Sequence, residues 1–142
     1  MADACFDTSV LLKRFLDEPQ TARARQLMRR YGIICSALAP LEAFSALSRR
    51  HDQRELAEQD FDDIVASVRF EQRVWQLVEV REPILRRAEF VIAQSGLRTL
   101  DAVHVASALV FQDNSAERIP FITADTQQAR AAKRLGLDVI AI

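Results

Sequence analysis

The sequence predicts an α/β domain built on a mostly parallel sheet. Three observations carry this. Short apolar runs of strand length recur along the chain. Amphipathic segments of helical period separate them. Only three Gly and four Pro occur in 142 residues, which leaves little room for long flexible linkers. Alternating strands and helices of this kind favour parallel pairing with helices packed on the sheet.

The elements follow in order. Ala4 to Asp7 reads as a first strand, after which Thr8 or Ser9 caps a helix running to about Leu16 with Val10, Leu11, Leu12 and Phe15 as its apolar side. Pro19 suits the first turn of a helix over about 19–31, with Ala22, Ala24, Leu27 and Met28 inward, Arg23, Arg25, Arg29 and Arg30 outward, and Gly32 at its end. Ile33-Ile34-Cys35 is a second strand, and Ser36 to Pro40 lead into a helix through about Arg50. Asp60 opens another, with Phe61, Ile64, Val65 and Val68 on one side. Leu77 to Val80 reads as a strand. Pro83 starts a helix that ends near Gly96, and Thr99 caps the next, through about Phe111, with a stripe at Ala102, Val103, Val105, Ala106 and Leu109. Asp113 to Arg118 is a polar loop. Pro120 to Thr123 is a strand, Asp125 to Leu135 a helix closed by Gly136, and Val139 to Ile142 a last strand. No repeat or composition shift divides the chain, so residues 1–142 are expected to form one domain.

Bulk composition narrows the function. A hydrophobic fraction of 49% and a charged fraction of 27% are ordinary for a globular protein, and the net charge of -1 excludes a globally basic nucleic-acid binder. Of the 19 basic residues only Lys13 and Lys133 are lysines, and the rest are arginines, which suit bidentate phosphate contacts as well as surface ion pairs. Cys5 and Cys35 lie in apolar runs without a ligand or disulfide spacing. They read as core-filling thiols of a reduced, cytoplasmic protein. No secretory leader or membrane-length apolar stretch is present, so no membrane association is expected.

Four acids sit where acids are unfavourable. Asp7 ends an apolar strand, Glu42 lies within Ala39-Pro40-Leu41-Glu42-Ala43-Phe44, Asp101 precedes Ala102-Val103-His104-Val105-Ala106, and Asp125 follows Phe121-Ile122-Thr123-Ala124. Asp7 and Asp125 each have a bland explanation as helix N-caps. Glu42 and Asp101 lack that excuse, because a helix interior among apolar neighbours would favour Leu or Ala. In an open parallel sheet, ligands bind beyond the carboxyl ends of the strands, and strand-to-helix junctions put Asp7 and Asp125 on that edge. Converging carboxylates repel one another unless a cation compensates, and Mg²⁺ or Mn²⁺ with hard oxygen ligands would do so. That chemistry points to phosphodiester hydrolysis. Thr8, Ser9 and Thr123 are hydroxyls beside the acids, available to a carboxylate or a metal-bound water, or for capping. His104 shares a helix side with Asp101 and is a candidate general base, although a packed histidine donating a hydrogen bond is the plainer reading. His51 reads as solvated, and no Gly-rich phosphate loop occurs.

The segments Phe6-Asp7-Thr8-Ser9-Val10-Leu11, Leu41-Glu42-Ala43-Phe44-Ser45-Ala46-Leu47, Leu100-Asp101-Ala102-Val103-His104-Val105-Ala106 and Ile122-Thr123-Ala124-Asp125, with Ala131-Ala132-Lys133-Arg134-Leu135-Gly136-Leu137, together resemble the PIN-domain ribonucleases. The likeness is strongest to VapC-type toxins of bacterial toxin–antitoxin pairs. It covers almost the whole chain in the family's order, and the ordered set is more specific than any one motif. The resemblance implies a three-layer α/β/α sandwich around a mostly parallel central sheet. It also implies Mg²⁺- or Mn²⁺-dependent endoribonuclease activity, with Asp7 and Asp101 as principal metal ligands. Glu42 and Asp125 would complete the acidic site, and Thr123 with Thr8 or Ser9 would support it. A homodimer and a cognate antitoxin whose basic tail enters the acidic groove are further implications. Phe61, Phe70 and Trp75 fall in a stretch the family varies freely. They are expected to pack the core, with a dimer or antitoxin surface as the alternative.

An RNA substrate would require a local basic rim rather than a basic protein. Lys13, Arg14, Arg49 and Arg50 lie near the acidic motifs in sequence and are the candidates for it. A catalytically silent PIN-like binding module is the competing reading, and the complete acidic set argues against it. A phosphoryl-transfer receiver or phosphatase lacks its second Asp near Asp7 and its Lys after a late strand.

Overall fold

A computed structural model describes residues 1–142. The strand β1 (Asp3–Phe6) is followed by α1 (Thr8–Lys13) and α2 (Thr21–Arg30), and β2 (Gly32–Ser36) by α3 (Ala39–Asp52) and α4 (Glu58–Glu71). A 3-10 turn over Gln72–Val74 leads into β3 (Gln76–Val78). Helices α5 (Glu82–Ser95) and α6 (Thr99–Ser115) precede β4 (Phe121–Thr123), and α7 (Thr126–Arg134) precedes β5 (Val139–Ala141). The sheet order is β3-β2-β1-β4-β5, and every pairing is parallel.

Alternation along the strands assigns each face. Ala4, Phe6, Cys35 and Ile122 point into a core shared with α1, α2, α3 and α4, whereas Cys5, Ile34 and Phe121 point into a second core shared with α5, α6 and α7. The expected α/β/α sandwich is therefore present. Fully burying side chains such as Phe6, Ile34 or Ile122 stabilises the fold by roughly 1.5–3 kcal/mol each before chain entropy is counted. The two cysteines fall on opposite faces of the sheet, both buried and unpaired, and burial pushes each thiol up to about 12. No helix is long and apolar enough to cross a membrane.

The strand order positions the site. The chain lays down β1, β2 and β3 to one side, then crosses back to add β4 and β5 on the other. The crossing point falls between β1 and β4, where neighbouring connections depart to opposite faces and leave a crevice at the carboxyl ends. Asp7 follows β1 there, and Asp125 follows β4. Helix α6 lies under the crevice and is buried on all sides from Ala102 to Leu109, not along one stripe. Its polar tail stays helical to Ser115, beyond the expected end near Phe111, because exposed polar residues do not interrupt the ladder and Asp113 is paired with Arg87 at 2.8 Å.

Several local expectations need correction. Pro19 lies ahead of α2, in a turn closed by the Thr21 hydroxyl, which donates to the Leu16 carbonyl at 2.7 Å and the Glu18 carbonyl at 2.8 Å. Ala22 is exposed. Gly32 is not a helix cap but the first residue of β2, where a Cβ would displace the exposed Asp3 carboxylate. Gly96 does cap α5 in the left-handed region at φ 69°, its N–H donating to the Ile92 carbonyl at 2.8 Å. Thr99 is the first helical residue of α6 rather than its cap. Of the three aromatics assigned to the core, Trp75 is buried and Phe61 half-buried, but Phe70 is 69% exposed on the outer face of α4. His51 is not simply solvated; its ring stacks on Phe61 at 4.8 Å.

Candidate active site

Asp7 is the N-cap of α1, and only 5% of it is exposed. Its Oδ2 accepts from the Ser9 main-chain N–H at 3.0 Å, and its Oδ1 accepts from the Gln128 side-chain amide at 3.1 Å. Both carboxylate oxygens are thus held by neutral donors. Such contacts fix the orientation of the group.

Asp125 caps α7 in the same way, accepting from the Gln128 main-chain N–H at 2.8 Å. Its own N–H donates to the Thr123 hydroxyl at 3.1 Å. Thr123 is fully buried and does not reach the cleft; its hydroxyl donates to Gln128 Oε1 at 2.6 Å. Ser9 links the two helix starts, its Oγ accepting from the Ala124 N–H at 3.1 Å.

Glu42 lies in the first turn of α3 and Asp101 in the first turn of α6, where the helix dipole favours negative charge. Glu42 Oε1 accepts from the Thr8 hydroxyl at 2.9 Å and from His104 Nε2. His104 is 3% exposed, its Nε2 stands 3.9 Å from Asp7 Oδ1, and its Nδ1 is buried without a partner. Burial pulls its pKa down, but the hydrogen bond to Glu42 and the negative charges of Asp7, Glu42 and Asp101 outweigh burial and raise it. The imidazole is therefore a packed donor to Glu42, tied to the carboxylates from beneath.

The Asp101 carboxyl is pushed above its ordinary range by burial and then by the charges of Asp7, Asp125 and Glu42, with His104 opposing. Four carboxylates from four distant segments therefore share one electrostatic environment. They line an open cleft of about 310 Å³ together with Thr8, Ser9, Leu12, Ser45 and Arg49. They are spread around its wall, and no three His, Cys, Asp or Glu groups are drawn tightly together. An all-oxygen donor set of this openness fits a hard cation that keeps several waters and takes one or two carboxylates directly. Asp7 and Asp101, with Glu42 and Asp125 beside them, are the residues that would hold it.

The structure separates the basic candidates. Arg49 lines the cleft, its Nη1 donating to Ser45 Oγ at 2.8 Å. Arg14 instead forms a bidentate pair with Glu71 at 2.7–2.9 Å. Arg50 pairs with Glu18 at 2.9 Å, and Lys13 donates to the Pro19 carbonyl at 3.2 Å and lies 3.7 Å from Glu18. Those three are engaged with acids and carbonyls outside the cleft wall, so the expected basic rim reduces to Arg49. Gln128 is the residue that sequence reasoning missed. The spacing Asp125-x-x-Gln128 resembles a capping box, and that was the available signal. Here, however, Thr123 takes the Asp125 N–H, and the Gln128 amide turns to Asp7 instead.

The model of the PIN domain family matches residues 4–134. Ribonuclease VapC46 of Mycobacterium tuberculosis is 32% identical to this chain over 99% of it and 98% of its own length. Among solved structures, FitAcB from Neisseria gonorrhoeae superposes with a TM-score of 0.69 at 17% identity, covering 96% of both chains. A toxin–antitoxin complex from Klebsiella pneumoniae gives 0.66 at 18% identity, covering 89% of both. At such identities these two speak for the fold.

Proposed function

Since this chain belongs to the PIN-domain family, we propose that it is a divalent-metal-dependent endoribonuclease, the toxin of a toxin–antitoxin pair. The observation that carries this is the convergence of Asp7, Glu42, Asp101 and Asp125 on one cleft, with Asp101 pushed up by burial and by its neighbours' charges. The kinship to a protein named as a ribonuclease supports RNA as the substrate. A bound Mg²⁺ or Mn²⁺ supplies Lewis-acid polarisation of the phosphodiester and a lowered pKa for the attacking water.

The chain's own residues do the rest. Ser9 N–H and Gln128 hold the Asp7 carboxylate in one orientation, so it presents its remaining lone pairs without reorganising. Thr8 and His104 hold Glu42 toward the same space. Arg49, the basic group on the cleft wall, reaches a substrate phosphate. The acidic cleft is also where a basic side chain from an antitoxin would dock, and the likeness to the toxin–antitoxin complex from Klebsiella pneumoniae supports such a partner. We place the protein in the cytoplasm as a single PIN domain over residues 1–142 that forms a homodimer.

Asp7→Asn is the decisive variant. RNA cleavage in Mg²⁺ or Mn²⁺ should fall by roughly a hundredfold or more, the several kcal/mol that a metal site supplies, and chelation should abolish the wild-type rate. Circular dichroism should show an unchanged fold, because an Asn oxygen still accepts the Ser9 N–H. Full cleavage by Asp7→Asn would show that the four-carboxylate cleft is not where RNA is cut, whereas wild-type protein that cuts no RNA in either metal would leave a silent binding module.

A further inference from the structure

We propose that Gln128 is a positioning residue: a buried neutral amide that fixes the Asp7 carboxylate and joins the three segments bearing Asp7, Asp101 and Asp125. This rests on the nuclease reading and adds to it a group that no charge pattern singles out.

The geometry is fully determined. Gln128 is 0% exposed on the inner side of α7. Its Oε1 accepts from the Thr123 hydroxyl at 2.6 Å, and its nitrogen end is set by two groups that can only accept. The two protons on Nε2 then go to Asp7 Oδ1 at 3.1 Å and to the Asp101 main-chain carbonyl at 3.2 Å. Both donors and an acceptor of one side chain are used, so the burial of an amide here is compensated. One group therefore connects the end of β1, the first turn of α6 and the turn from β4 into α7. With Ser9 N–H on Oδ2 and Gln128 on Oδ1, the plane of the Asp7 carboxylate cannot rotate freely.

Neutrality is what makes Gln suit the place. A glutamate would add a fifth negative charge beside a cleft whose Asp101 is already pushed up by burial and repulsion. A lysine or arginine would compensate the acids from inside and compete with a cation. A leucine would fill the volume but leave Asp7 Oδ1, the Thr123 hydroxyl and the Asp101 carbonyl without their partner.

The test measures Mn²⁺ binding directly, by calorimetry on wild type, Gln128→Leu and Gln128→Glu, alongside steady-state RNA cleavage and thermal unfolding. Outer-shell partners of metal ligands are worth roughly 10- to 100-fold in metal affinity. Gln128→Leu should lose affinity by that factor, with kcat at subsaturating metal falling and KM for RNA unchanged. Where Gln128→Leu does not fold, Thr123→Val answers the same question, since it removes the hydroxyl that orients the amide and keeps the volume; a several-fold loss of Mn²⁺ affinity is expected. A merely structural role predicts a lower Tm with unchanged Mn²⁺ affinity in the folded fraction. Affinity within twofold of wild type in the folded variants overturns the positioning role alone. Wild-type protein that neither binds Mn²⁺ nor cuts RNA overturns the nuclease reading with it.

Discussion

The acids of the cleft are held in two ways. Asp7 and Asp125 stand just outside helices, and each accepts a main-chain N–H as an N-cap. Glu42 and Asp101 stand inside the first turns of α3 and α6. Glu42 depends on the side chains of Thr8 and His104, while Asp101 lends its main-chain carbonyl to Gln128 and turns its carboxylate to the cleft. The capping pair serves the fold as well as the site, at about 1 kcal/mol per cap. Of the other pair, Asp101 works against the fold, its carboxyl pushed up by burial and by its neighbours' charges. A residue that would be present for folding alone is weak support for function, whereas one that works against folding is strong support. Asp101 is the stronger witness for chemistry, although Asp7 is the better held.

Asp101→Asn tests that contrast most directly and carries the largest effect. Cleavage should fall by on the order of a hundredfold or more. Unlike Asp7→Asn, which keeps the cap but sets an amide NH2 against the Gln128 donor, it should stabilise the metal-free protein. The pH dependence follows from the raised carboxyl. A group whose folded pKa exceeds its unfolded one favours the native state when protonated, so its contribution is present at low pH and is lost as pH rises through the folded value. The stability gap between Asp101→Asn and wild type should therefore widen as pH rises through that range and close below it. Thermal unfolding in chelator across pH checks this. A variant less stable than wild type at neutral pH would show that Asp101 is compensated from within.

Much of this was readable from one chain because the informative relations are local. A strand ending in Asp before a helix places Asp7 and Asp125 on the carboxyl edge whatever the strand order. An acid among apolar neighbours marks Glu42 and Asp101 without any tertiary knowledge. The failures at the site itself are non-local. Gln128 is buried against Asp7 only because β1 pairs with β4 across more than a hundred residues, and Gln127 beside it is exposed. Arg14 was lost to Glu71, 57 positions away, and Arg50 to Glu18, 32 away. Proximity in sequence to an acidic motif says little about where a long cationic side chain ends. Helix α6 read as carrying one apolar stripe, but its low amphipathicity is what an element enclosed on all sides shows.

His104 probes the weaker holding of Glu42. His104→Leu removes the Nε2 donor, and Glu42, itself partly exposed, swings toward water. Mn²⁺ affinity should fall by roughly tenfold, the low end for an outer-shell contact, with a small stability change because the buried Nδ1 was already without a partner. His104→Gln, whose amide restores a donor near the position of Nε2, should recover part of the loss. If both variants bind Mn²⁺ like wild type, Glu42 is not a partner of the cation, and the capping pair with Asp101 would suffice.

Arg49 gives the smallest effect and separates two roles for the one cation on the wall. Its guanidinium rests on a neutral hydroxyl, Ser45 Oγ, whereas Arg14, Arg50 and Lys13 all face carboxylates. A surface group so lightly tied should be removable at about 0.5 kcal/mol or less of stability. If it grips a substrate phosphate, Arg49→Gln should raise KM for RNA several-fold, leave kcat unchanged, and reduce the slope of log KM against log salt by about one phosphate contact. If it instead offsets the charge of the four acids, the same variant should leave KM alone and tighten Mn²⁺ binding, because removing a positive charge deepens the negative potential of the cleft. Kinetics at several salt concentrations, together with one metal titration, distinguish the two. The geometry favours the first outcome, since a guanidinium recruited to neutralise the cleft would be expected on a carboxylate, and this one is bonded to a serine.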